Sequence, residues 1–488
     1  MKKIISFLMI AFLILPTCLF TGAGVPSKEK REPLRVCNCE DYIDEDLLAE
    51  FTEETGIEVI YSTFGTNENL YNELVINPNS YDLVVPSEYM IEKLAVEGRI
   101  QKLDFSQIGD YQDNLSRYIK GRLDEIEIKD GEYKGSKISD FMVGYMWGTM
   151  GWVYNTDTVS IEDVKSWYGV FENQSLNKRI TIKDAVRDSY IVGLAMVYED
   201  ALKNSNSTEE ISRILNNTEQ EAIDLVGEKL NSLKPMLYGF EVDSGKNDIV
   251  LGNIDAYVAW SGDAAYAIDV ASGEVEDEDG TFVENVRNLS YYIPDEGSNI
   301  WFDGLVMPSG STNYESAYKF LEFISRPENV IRNMDYTGYT SMIGGEDIFN
   351  EIVLGWFDES EDLEEGEGVV VDLGYFFGEG DFTVTVSEEG YGRLIAQYPN
   401  FEKVQRCAVM SYFDNDTLMS VNEMWEVVKG ETFPMWLIIT IAGLVVVLAI
   451  LIVLVRNKDK LSWVKLPERK TTYAERKGLK VVRIEEVE

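Results

Sequence analysis

Tyr81-Asp82-Leu83-Val84-Val85-Pro86-Ser87-Glu88-Tyr89 closes a run from Leu34 to Met90 that reads strand, helix, strand, helix, strand. Leu34 to Cys37 is a short apolar run, and a polar loop follows from Asn38 to Asp44. Leu47, Leu48 and Phe51 recur at helical spacing, and Gly56 stands where a left-handed C-cap belongs. Ile57, Val59 and Tyr61 mark a second strand. Thr66 or Asn67 can cap a helix through Leu74, Asn77 to Ser80 is a turn, and Leu83 to Val85 is a buried strand. Strands alternating with helices predict a parallel sheet, whose ligands bind beyond the carboxyl ends of the strands. Tyr42, Ser87 and Tyr89 fall on the loops at those ends.

The 488-residue chain carries 43 Lys and Arg against 86 Asp and Glu, a net charge of -43. Such a surface repels nucleic acid and anionic lipid and gathers cations, although solubility alone explains it equally well. Histidine is absent, which removes His-dependent triads and imidazole metal sites. The cysteines, Cys18, Cys37, Cys39 and Cys407, have no zinc spacing, and no cofactor is expected.

Residues 1–24 read as a signal peptide: Lys2 and Lys3, an apolar run, then small residues. Lipidation at Cys18 and an uncleaved anchor are the alternatives. Phe433 to Val455 are 23 residues without a charge, enough at ~1.5 Å each to cross a ~30 Å hydrocarbon core. Ten Lys or Arg lie in the tail 456–488. By the positive-inside rule the tail is cytoplasmic and the acidic body extracytoplasmic, on a single-pass membrane protein.

Between these ends the sequence offers several candidate ligand groups. Phe141 to Asn155 is rich in aromatics and methionine, as a buried crossing strand or a ligand wall would be. Asp184 and Asp188 are four apart and would share a helix face, yet an Asp at a helix start is more often a cap. Trp260 beside Ser261-Gly262-Asp263 reads either as an aromatic platform or as a buried core residue. Trp301 and Asp303, two apart in a strand, point to one side and offer a π face and a carboxylate, a pairing suited to an alkylammonium ion.

The run Glu50 to Thr63 (EFTEETGIEVIYST), with Tyr81 to Ser87 after it, resembles the spermidine/putrescine-binding receptors of bacterial polyamine importers. The resemblance spans roughly Leu34 to Lys429. It implies an α/β, two-lobed periplasmic-binding-protein-like fold (type II) with crossing hinge strands. Lobe 1 would comprise 33–148 and 302–343, and lobe 2 149–301 and 344–428. Segment 344–400 departs from the family and reads as an acidic loop, 358–367, followed by a β-hairpin, 369–386. The implied ligand is a polyamine, and the implied partners are an ABC permease and its ATPase. The implied contacts are Tyr42, Ser87, Tyr89, Asp188, Trp260, Trp301, Asp303, Tyr339 and Gln405, with Asp184 one position off the family pattern. Cys39 and Glu40 stand where the family has an aromatic wall and its neighbour, and Asp263 where it has a small polar residue. A disulfide from Cys37 or Cys39 to Cys407 is an open expectation. Two rivals share these features: an extracellular glycosidase, which needs a spaced acid pair, and a non-transport amine sensor or adhesin.

Overall fold

The parallel unit forms as its pattern predicts. The computed structural model describes residues 32–430 except 273, 277–281, 285–286, 362 and 365–366. Strand β1 (Leu34–Cys39) pairs in parallel with β2 (Val59–Phe64) on one side and β3 (Leu83–Val84) on the other. Between them, helix α1 (Glu45–Thr55) ends at Gly56 with φ 70°, and α2 (Asn67–Ile76) starts at Thr66, whose side chain accepts from the Asn69 amide. The apolar spacing buries Leu47, Leu48 and Phe51 against the sheet. Helix α3 (Glu88–Val96) follows Ser87.

A second parallel unit is built from β5 (Ile180–Lys183), β6 (Leu237–Glu241) and β7 (Ala256–Trp260). The two units are joined through β4 (Met142–Asn155), all fourteen residues of which are buried. A short hairpin, β8 (Glu274–Glu276) and β9 (Phe282–Glu284), precedes β10 (Leu289–Tyr292). The first half of β4 runs antiparallel to β11 (Ile300–Val306) and β12 (Thr340–Ser341), and its second half to β7 and β10. The main path through the sheet is β2-β1-β3-β11-β4-β7-β5-β6. Phe141 to Asn155 is therefore a crossing strand.

Several sequence expectations change in detail. Helix Val186–Val197 begins after Ala185, so Asp184 lies outside it, and the two aspartates do not share a helix face. The segment after Trp260 is a helix, Ser261–Ala271. In segment 344–400 the hairpin pairs β13 (Val369–Asp372) with β14 (Thr383–Val386), but Gly374–Phe377 turns into helix. Aromatic burial causes that turn. Phe376 stacks on Trp147 of β4 at 5.4 Å and 14°, and contacts Phe377 and Tyr398 edge-on.

The compact body ends at Val428. Among the described residues no helix is long and apolar enough to cross a membrane. Segments 1–24, 433–455 and 456–488, expected as signal, spanning helix and basic tail, lie outside the described residues.

Candidate functional site

The carboxyl ends of both parallel units, together with β11, meet around a cluster of tyrosines and acids. Tyr42, in the loop after β1, donates its hydroxyl to Asp303 Oδ2 at 2.8 Å. Its ring meets Tyr145 and Tyr339 edge-on, at 5.4 and 5.1 Å. Trp301 lies 5.9 Å from Tyr339, whose hydroxyl donates to Asp263 Oδ1 at 3.0 Å. The rings of Tyr42, Tyr339 and Trp301 and the carboxylates of Asp303 and Asp263 thus form one continuous wall.

Local structure aims each of these groups. The register of β11 on β4 shifts between Asp303 and Gly304, a bulge of the kind that redirects side chains beside binding sites. Ser87 pairs with Asp303 in an isolated antiparallel bridge, and Asn67 clamps Ser87 by donating to its hydroxyl and accepting from its amide, each at 3.0 Å. Gly262 is required where it stands, because a Cβ there would sit 2.4 Å from the Tyr339 ring.

Burial pushes the Asp303 carboxyl up to about 6, against the opposing pulls of Ser87 and then Tyr42 hydrogen bonding. Desolvation likewise raises Asp188 to about 6, with Lys183, Trp260 and Arg187 drawing it back. Glu88 is a further buried acid, pushed up to about 8 by desolvation; its Oε2 accepts from the Phe302 amide at 2.9 Å.

Two protein cations share the site, and sequence reasoning missed both. Arg187 stacks between the rings of Tyr89 and Phe413, at 4.1 and 3.9 Å, and donates to the Ser411 carbonyl. Lys183 ends β5 directly opposite Glu241 of β6. Its Nζ lies 3.4 Å from Glu241 Oε1, 3.5 Å from Asp263 Oδ2 and 4.2 Å from the centre of the Trp260 ring. Glu88 stands between two expected residues, Ser87 and Tyr89, and Lys183 and Arg187 are each adjacent to an expected aspartate, Asp184 and Asp188. The available signal was a charge at a strand end or inside an apolar helix turn.

Not every expected residue joins the cluster. Tyr89 donates to Glu68 at 3.1 Å, and Trp260 faces Lys183. Cys39 borders Asp303, and burial raises its thiol strongly. Glu40 is exposed on the loop before Tyr42. Gln405 is exposed at the end of helix Phe401–Val404, because the adjacent turn is held inward by Arg406 on the Leu202 and Ser205 carbonyls. Cys37, Cys39 and Cys407 are free thiols, so the expected bridge is not formed; the Cys407 thiol donates to Lys403 O within its own turn. No group of acids or cysteines among the described residues could hold a metal ion.

A family model for bacterial extracellular solute-binding proteins matches residues 46–345. The chain belongs to that family. This solute-binding protein is 30% identical over 337 residues to the putrescine-binding periplasmic protein PotF of Escherichia coli, covering 67% of this chain and 82% of the relative. It is 27% identical over 328 residues to the spermidine/putrescine-binding periplasmic protein of Salmonella typhimurium, with the same coverage. A solved spermidine/putrescine ABC transporter substrate-binding protein from Streptococcus pneumoniae superposes with a TM-score of 0.56 at 27% identity, over 82% of this chain and 100% of that one. A putative spermidine/putrescine ABC transporter protein from Listeria monocytogenes gives 0.58 at 24%, over 81% and 98%. The solute-binding protein therefore has the mixed α/β, two-lobed periplasmic-binding-protein-like fold, and it is a receptor rather than an enzyme. The relatives give the glycosidase and the sensor or adhesin no support.

Proposed function

We propose that this receptor captures a polyamine outside the cytoplasm and delivers it to an ABC importer. The observation that carries the reading is the Tyr42–Asp303 pair, facing Trp301 and Tyr339. A polyamine is an apolar stem with ammonium groups at intervals, so it needs aromatic walls and buried carboxylates together. Asp303 supplies a carboxylate, with Asp188 as the second acid, and the three rings supply the walls. The relatives named for putrescine and spermidine support the same class of ligand.

The lobe division runs 33–148 with 302–343 against 149–301 with 344–428, with β4 as a crossing strand. Closure around the ligand is the signal that permease and ATPase would read. Residues 433–455 tether the receptor to the membrane, with 456–488 on the cytoplasmic side, and the length and charge pattern of those segments support this topology.

Calorimetric titration of the full-length chain with putrescine, spermidine and a neutral oligosaccharide tests the ligand class. Saturable heat with an amine, weakened roughly 30- to 150-fold in Kd by Asp303→Asn, is expected, and heat with the oligosaccharide alone would overturn the reading. Protease treatment of intact and of opened cells tests the topology, since the tail is expected to be cut only after opening.

A further inference from the structure

The acids that a cation could use are not all open. Lys183 is 1% exposed; its ammonium donates to Val242 O at 2.8 Å and forms ion pairs with Glu241 Oε1 at 3.4 Å and Asp263 Oδ2 at 3.5 Å. The same ammonium covers the Trp260 ring at 4.2 Å, with Tyr257 at 5.9 Å. Carboxylates on two sides and an aromatic face on the third are what one amine of a polyamine would seek. An unpaired buried ammonium would be costly, and this one lies between two carboxylates and a carbonyl, so it stays in place.

Asp263 is further committed by Tyr339, whose hydroxyl donates to it at 3.0 Å, and by Lys246 at 3.8 Å. Of the acids around the cleft, Asp303 and Glu88 pair with no cation among the described residues, and Asp303 Oδ1 and Glu88 Oε1 are buried there with no hydrogen-bond partner. Asp188 is a further buried acid without a close ion pair, since Arg187 beside it is spent on two rings and a carbonyl.

We propose, resting on the polyamine reading above, that Lys183 is a built-in ammonium filling one amine position of the cleft, so that the receptor takes a diamine in preference to a triamine. The ligand's two ammonium groups then answer to Asp303 and Asp188. A third ammonium would have to enter at Trp260 and Asp263, where Lys183 already sits and repels it.

Titration of the full-length chain with putrescine and with spermidine, in wild type and in Lys183→Met, decides the matter. Methionine keeps an unbranched stem and removes the charge. Wild type is expected to favour putrescine, and Lys183→Met to shift the ratio of the two Kd values toward spermidine by roughly tenfold. An unchanged ratio, or equal weakening of both amines, overturns the assignment of Lys183 while leaving the polyamine reading intact. Wild-type binding of neither amine overturns the polyamine reading itself, and the proposal with it. Should Lys183→Met fail to fold, Lys183→Met/Glu241→Gln removes one acid with the cation and carries the same measurement, with the same outcomes.

Discussion

Tyr42 and Asp303 lie 261 positions apart, yet the phenol of one donates to the carboxylate of the other across 2.8 Å of buried space. This contact joins the loop after the first strand to β11, and the second carboxylate oxygen is buried with no hydrogen-bond partner among the described residues. An amine bound there completes the set of partners. Asp303→Asn removes the charge and keeps the shape, so titration should show affinity weaker by about 2 to 3 kcal/mol, roughly 30- to 150-fold in Kd. Tyr42→Phe removes one neutral donor and should cost about 1 kcal/mol.

Protonation should tune binding near pH 6. Asp303 and Asp188 are raised to about 6 from an ordinary 3.8, so between these values the native state holds protons that the unfolded chain has released. A bound ammonium favours the ionised form. Affinity should therefore rise as pH climbs through about 6 and level off above it. Proton release on binding below that point should appear as a buffer-dependent heat in calorimetry. The free receptor moves in the opposite direction: through these two groups it loses stability as pH rises from about 4 to about 6. Asp303→Asn should flatten part of that slope in thermal melts.

Glu88 should tolerate an amide. Its carboxyl is held near 8 by burial, so at pH 7 it is mostly neutral, and Gln can still accept from the Phe302 amide. Glu88→Gln should leave the melting temperature and amine Kd close to wild type at pH 7. The variant should become relatively more stable at pH 9, where wild type must carry an unpaired buried charge. Melting curves at both pH values check this.

Gly262→Ala should damage the site from behind. The added methyl would meet Tyr339 at 2.4 Å, and overpacking of this kind costs roughly 1 to 3 kcal/mol. Tyr339 would have to move away from Asp263 and Trp301, so amine affinity should fall together with the melting temperature. Denaturant titration and calorimetry measure the two effects separately.

Phe376→Ala should show what segment 344–400 contributes. Phe376 is fully buried on Trp147 of the crossing strand, and emptying such a site costs about 3 to 5 kcal/mol. Chemical denaturation gives the loss directly. Amine affinity measured on the remaining folded fraction should change far less, because the residue is not among those that line the Tyr42–Asp303 wall.

The sequence by itself determined the local elements and the type of ligand chemistry. Apolar spacing fixed α1, Gly56 its end, Thr66 the start of α2, and alternation of strand and helix the parallel sheet, because these depend on residues a few positions apart. The Trp301 and Asp303 pair was legible for the same reason, since two residues of one strand share a side. Tertiary structure decided which charges are spent and which are open. Lys183 meets Glu241 and Asp263 only once β5, β6 and the helix after β7 come together. Gln405 is carried to the surface by a turn anchored on distant carbonyls. Ion pairing and desolvation act through space over a few ångströms, and residues dozens or hundreds of positions apart reach that range only when the sheet closes.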